Sequence, residues 1–230
     1  GILGFLISAI IILAIKSATL KGSRLRDATS VKSRETYLSV LKVRNVALGC
    51  IIGVFYALAF SSVLALYPTY LRTVLGFDPV TSGVIVSLQT WAWIVVAPII
   101  LTLSDRYGRK WFLCYYSLFS AFAIYYMFQT PPRNFPSVAL ANFIYGVVGA
   151  GAFPMIVIFV QDSVAGAKIG ASTGFANFFI YIGVTVSGPI TGYIVSLLGW
   201  TLASYWLVAC RLAFFVAALL TKETRVHSRQ

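Results

Sequence analysis

Residues 101–110, LTLSDRYGRK, decide the fold of this chain because they place a tight cluster of charge between two long apolar runs. Of the 230 residues, 59% are hydrophobic and only 10% are charged. The apolar residues form unbroken runs rather than one-sided stripes, and a soluble domain of this length could not bury them. The sequence therefore predicts a chain that crosses a membrane repeatedly, with this charged stretch at the membrane surface.

Helices that cross a bilayer core of about 30 Å need roughly 18 to 20 predominantly apolar residues. The chain offers six such runs, which predict an all-α polytopic membrane bundle. An opening apolar run at residues 1–15 is shorter and is expected to be the end of a preceding transmembrane helix. The predicted spans are residues 46–70, 79–103, 112–129, 137–161, 170–198 and 200–221.

The net charge of +12 is best explained by membrane topology, not by nucleic-acid binding. If the six spans alternate, all of the 18 Lys and Arg residues except Arg72, Arg133 and Arg211 fall on one side. Positive residues mark the cytoplasmic side. A basic linker at 16–44 and a tail at 222–230 are therefore expected to be cytoplasmic, with the linker near anionic lipid headgroups.

Polar side chains in the middle of the spans are candidate substrate contacts, because amides and charges are costly in hydrocarbon unless they face protein or water. For Gln89, the sequence supports a role in packing between helices and a role in substrate contact equally well. Arg211 lies near the bilayer midplane, where it faces either a substrate or a structural partner on a neighbouring helix. The candidates are Tyr56, Gln89, Asn142, Asn177, Tyr181 and Arg211.

Enzymatic chemistry has little support. Residues 170–174, GASTG, match the G-x-S-x-G nucleophile pattern, but the only histidine, His227, lies beyond the last span. A serine nucleophile needs a base within hydrogen-bond reach. No zinc-binding, phosphate-binding or paired-cysteine motif is present, so no metal or cofactor is expected. Three cysteines, Cys50, Cys114 and Cys210, are expected to be small core residues.

Two stretches carry a resemblance to a known family. The charged stretch resembles the G-x-x-x-D-R-x-G-R-K signature of the major facilitator superfamily, with Leu101 in place of the first glycine. A second stretch resembles the segment that runs from the fourth to the fifth helix of a half of such proteins. The matching positions are Asp105, Arg106, Gly108, Arg109 and Lys110, and then Gln161, Asp162, Lys168, Gly170, Gly174, Asn177, Gly183, Gly188, Pro189 and Gly192.

This resemblance implies the C-terminal half of a twelve-helix secondary transporter. Residues 45–221 would be a six-helix half-domain built from two inverted three-helix repeats. Its first, second, fourth and fifth helices would line the path, while the third and sixth would be scaffold. The partners implied are the N-terminal six-helix half and a small solute, and any proton coupling would use that other half. The plasma membrane is the expected location.

The function expected is secondary active or facilitative transport of a small solute, such as a sugar or an organic acid, by alternating access. The signature residues Asp105, Arg106, Gly108, Arg109 and Lys110 would form a gate, with Asp105 capping the next helix or facing the start of the fifth span. An Asp105→Asn change is then expected to slow uptake. The alternative is a non-transporting receptor or sensor on the same fold.

Overall fold

The computed structural model describes residues 39–166 and 168–224, and within these residues it contains helices and no strands. The expected helix end at 1–15, the linker up to residue 38 and the tail after residue 224 lie outside the described residues. The helices are α1 (Arg44–Thr73), α2 (Pro79–Tyr107), α3 (Arg109–Phe128), α4 (Phe135–Gly149), α5 (Ala152–Asp162) and α6 (Lys168–Leu219).

Five helical segments of the described residues are long and apolar enough to cross a membrane, counting α4 and α5 as one. The last of them, α6, has 52 residues, whereas about 20 suffice for one crossing. At Gly199 the backbone leaves the helical region with φ 80° and ψ 175°, so residues 168–198 and 200–219 are separate helices. The predicted all-α membrane bundle is confirmed, and the fifth and sixth spans meet at Gly199.

Short connections join the spans, and their sequences explain where the helices begin. The Asp78 carboxylate accepts hydrogen bonds from the backbone N–H groups of Val80 (2.9 Å) and Thr81 (3.1 Å), and Pro79 is the first residue of α2. Hydrogen bonds from Thr81, side chain and backbone, and from the Val80 backbone lower the pKa of Asp78. At the start of α4, the Asn134 side chain accepts a bond from Ser137 N–H at 3.2 Å.

The charged stretch is more helical than the sequence predicts. We expected a loop at 104–111, but α2 continues to Tyr107 and α3 begins at Arg109. The joint is therefore the single residue Gly108, whose φ of 99° is unfavourable for any residue with a side chain. The helix α2 therefore continues beyond the apolar run and includes the charged residues Asp105 and Arg106.

The fourth span is broken in the middle. The sequence predicts one continuous span over 137–161, whereas the structure ends α4 at Gly149 and restarts the helix as α5 at Ala152. Pro154 has no N–H to donate to the Ala150 carbonyl, and Gly151 adopts a left-handed φ of 75°. A helix break therefore lies within the membrane-spanning part of the chain.

Two close helix pairs hold the bundle together at glycines. A Cβ on Gly183 of α6 would lie 2.7 Å from the Val54 carbonyl oxygen of α1, and one on Gly146 of α4 would lie 2.6 Å from the Gln89 carbonyl oxygen of α2. These are contacts in which only glycine lets two backbones approach so closely. The first span thus packs on the fifth, and the second packs on the fourth.

Both pairs fit two inverted repeats. In a repeat of three spans, span one corresponds to span four, and span two corresponds to span five. The contact between spans one and five therefore has its counterpart in the contact between spans four and two. The corresponding first and fourth spans also run in opposite directions, because α1 starts at the end of the bundle where α5, the second half of the fourth span, ends. We call this the basic end, where Arg44 bonds the Leu220 carbonyl (2.9 Å), Lys110 bonds the Leu219 carbonyl (2.8 Å), and Arg109 pairs with Asp162.

Candidate functional site

A cleft of about 180 Å³ opens beside the break between α4 and α5. Three parts of the fold form its walls. Tyr56 comes from α1, and Trp93 and Ala97 come from α2. The fourth span contributes the residues on both sides of the break, which are Gly149, Gly151, Ala152, Phe153 and Pro154.

Aromatic rings build one wall of this cleft. Tyr56 and Phe60, one turn apart on α1, stack with ring centroids 5.3 Å apart, and Phe60 stacks on Trp93 at 4.9 Å. The indole Nε1 of Trp93 is buried and has no hydrogen-bond partner within the described residues. The wall therefore offers flat apolar surface, whereas the Trp93 N–H is buried against Gly149.

Arg211 lies directly behind this wall. Its guanidinium carbon is 5.5 Å from the centroid of the Tyr56 ring and 5.0 Å from that of Tyr116 on α3. Its Nη2 donates a hydrogen bond to the Tyr145 hydroxyl at 3.2 Å. The side chain is completely buried, so three tyrosines from three helices enclose one positive charge.

The charge of Arg211 has no counter-ion in the part of the chain that the structure describes. Its Nε and Nη1 atoms are buried and form no hydrogen bond there. The two ion pairs of the described residues both involve Arg109, at the basic end. A buried guanidinium without an anion is costly, although cation–π contacts offset part of that cost.

The other predicted substrate residues lie apart from this cleft. Gln89 is buried where α2 meets Gly146, and Asn142 donates to the Tyr67 hydroxyl (3.1 Å) and to the Val138 carbonyl (3.0 Å). On α6, Asn177 is half-buried and Tyr181 is 61% exposed. Of the six candidates, the structure brings only Tyr56 and Arg211 together.

A second polar site occupies the basic end. The guanidinium of Arg109 pairs with Asp105 at 2.8 Å and with Asp162 at the end of α5. Arg109 is 7% exposed, whereas Arg106 points to the surface. This one side chain therefore ties the end of the second span and the start of the third to the end of the fourth.

The expected capping role of Asp105 is wrong. The residue before α3 is Gly108, and it makes no side-chain capping bond. Asp105 lies within α2 and turns towards Arg109, four residues on, because residues at that spacing are neighbours on one helix face.

The segment after α6 closes over the same end. Glu223 accepts a hydrogen bond from the Lys110 backbone N–H at 3.4 Å, and its carboxylate lies 2.7 Å from where a Cβ on Gly108 would stand. Asn45 and Lys222 bond through the Asn45 side chain, at 2.9 and 3.0 Å. Gly108 of the signature thus provides both an unusual φ and space for a carboxylate.

A comparison with protein families decides what this architecture is. The family model of the Major Facilitator Superfamily matches residues 1–230. The chain belongs to the major facilitator superfamily. Members of this superfamily are membrane transporters that move small solutes. A comparison with curated proteins gave no significant match.

Within this superfamily member, several functional candidates escaped prediction from the sequence. The aromatic third span was expected to be scaffold facing lipid, yet its Tyr116 encloses Arg211. Tyr145 and Trp93 were also missed, as was Glu223. Trp93 alone carried a usable signal, because an indole N–H in the middle of a span needs a partner.

Proposed function

We propose that this chain is the second half of a carrier that moves a small solute by alternating access, and that the Tyr56–Trp93 cleft is its share of the solute site. The helix break beside the cleft carries the proposal. Irregular backbone at membrane depth is tolerated only where it is buried or lines a cavity. Carriers place such broken helices at their substrate sites.

The exposed faces of α2 and α6 would meet the other half of the carrier. Only 17% of the most apolar window of α2 is buried, against 61% for α1, although both helices are equally apolar. In this arrangement Asn177 and Tyr181 would face the shared cavity from α6. Gln89 and Asn142 act instead in helix packing, since both are buried between neighbouring helices.

The Arg109 cluster would act as a gate latch on the cytoplasmic side. Charge pairs that hold three span ends together stabilise one state and must loosen when those ends separate. Exposed Arg106 would then contact anionic lipid headgroups. The described acidic residues, Asp78, Asp105, Asp162 and Glu223, lie at or beyond the ends of helices, so a buried proton-coupling carboxylate would belong to the other half.

Uptake of a solute into liposomes that contain the intact transporter tests this proposal. A radiolabelled panel of sugars, organic acids and amines first identifies a carried solute. We then expect Trp93→Ala to raise the half-saturation concentration of the solute about fivefold, because one aromatic contact is worth roughly 1 kcal/mol. Trp111→Ala is the matched control, since Trp111 lies on the scaffold helix α3, is 62% exposed and is outside the cleft.

Two outcomes would count against the proposal. Equal increases in the half-saturation concentration of the Trp93 and Trp111 variants would contradict the cleft as the solute site. No uptake of any solute by a correctly inserted protein would favour a receptor or sensor on the same fold.

A further inference from the structure

The buried unpaired groups around the cleft are all hydrogen-bond donors. Trp93 contributes Nε1, and Arg211 contributes Nε and Nη1. The unpaired side-chain oxygens among the described residues lie outside the cleft lining, and they belong to Ser82, Asn142, Glu223 and Thr224. These unpaired donors leave the surroundings of the cleft electropositive, which favours a ligand that carries negative charge.

The charge beneath the wall restricts the ligand further. Arg211 is completely buried and forms no ion pair within the described residues, so a cationic solute against Tyr56 would meet an uncompensated like charge. A neutral solute would leave that charge without a counter-ion. An anion would compensate it, and in a medium of low dielectric constant this attraction is much stronger than in water.

The size and surface of the cleft indicate the rest of the molecule. About 180 Å³ is small, and the three rings from Tyr56 to Trp93 stack in a continuous row. The lining of Tyr56, Trp93 and the apolar residues beside the helix break suits a small apolar body. A phosphate dianion would carry more charge and hydration than one guanidinium can offset.

We propose that the cleft binds a small organic carboxylate with an apolar body, and that Arg211 is its counter-charge behind Tyr56. This inference rests on the proposed function and names its substrate class. Arg211 is a specificity-determining residue here, because it selects the charge of the solute without lining the cleft. Tyr116 and Tyr145 position its guanidinium from α3 and α4.

Removing the charge should weaken carboxylate binding strongly. Two unit charges about 8 Å apart at an effective dielectric constant of about 20 attract enough to change affinity on the order of 30-fold. We expect Arg211→Gln to produce a loss of that size, and Arg211→Lys to retain most of the affinity. Arg72→Gln is the matched control, since it removes one positive charge at an exposed position at the end of α1.

Matched acid and amide pairs provide the test, on the intact transporter in detergent. Dissociation constants are measured by tryptophan fluorescence for benzoate against benzamide, nicotinate against nicotinamide, and phenylacetate against phenylacetamide. We expect the wild type to prefer the acid of at least one pair, and Arg211→Gln to abolish that preference. The wild-type preference keeps the test decisive even if Arg211→Gln does not fold.

The outcomes separate this inference from the proposed function. Amides that bind as tightly as their acids, no binding of any carboxylate, or an acid preference that survives in folded Arg211→Gln would each overturn the carboxylate assignment. Solute uptake into liposomes is measured separately. Solute uptake without a preference for the acids would refute only the assignment of a carboxylate as the substrate. Binding of the acids without uptake of any solute would refute the proposed transport function, while the anion-binding site would stand.

Discussion

We expect Gly146→Ala to destabilise the folded bundle by about 1–3 kcal/mol, the range for overpacking a tight contact. The new methyl group would stand 2.6 Å from the Gln89 carbonyl oxygen and 2.8 Å from the Ala92 side chain. Both belong to helix α2, whose backbone cannot move aside without separating the second span from the fourth. Thermal unfolding of the purified protein in detergent measures the effect.

Gly83→Ala is the matched control for this substitution. Gly83 also lies within α2, but a Cβ there meets no atom within 4 Å. Replacing glycine in a helix normally favours the helix by up to about 1 kcal/mol, so this variant should be as stable as the wild type or slightly more stable. Equal destabilisation by both variants would show that glycine contact does not hold α2 on α4.

Arg109→Gln should give the largest loss of transport among the gate variants. The substitution leaves Asp162 and Asp105 without their partner at the basic end. Loss of one partner of a partly buried pair costs about 1–3 kcal/mol, which shifts the populations of two states roughly 5- to 150-fold. Arg109→Lys should not restore transport, because one ammonium group cannot reproduce the planar guanidinium that bridges two carboxylates.

The two carboxylates should differ in importance. The Asp162 side chain is 23% exposed and that of Asp105 is 59% exposed, so water screens the Asp105 pair more strongly. Asp162→Asn should therefore slow uptake more than Asp105→Asn, with normal expression of both. Uptake rates normalised to inserted protein check this order, and a larger effect of Asp105→Asn would contradict it.

Hydropathy predicted the spans well because the membrane imposes their length. The ends of α1 and α2 differ from the predicted spans by at most four residues. The helix break at Ala150 and Gly151 was less visible. Glycine and proline in a span are compatible with tight packing, bending or breaking, and only the neighbouring helices decide among these.

The candidate site was predicted less completely, for a physical reason. Arg211 was singled out because a charge at the midplane is costly wherever it points. Its partners come from three other helices, and Tyr145 is 66 residues away in sequence. Tyrosines such as Tyr116 are also common on lipid-facing helices, so composition alone could not distinguish the one that turns inward.

Solvent accessibility of the cleft from the two sides of the membrane tests alternating access most directly. Ala97→Cys places a thiol in the cleft, and the native cysteines Cys50, Cys114 and Cys210 are free but buried, which keeps background labelling low. A membrane-impermeant maleimide is applied to the inside or the outside of vesicles that hold the intact transporter. We predict labelling from both sides, in proportions that change when the carried solute is added. Labelling from one side only, in the presence and absence of solute, would contradict a site that is exposed alternately.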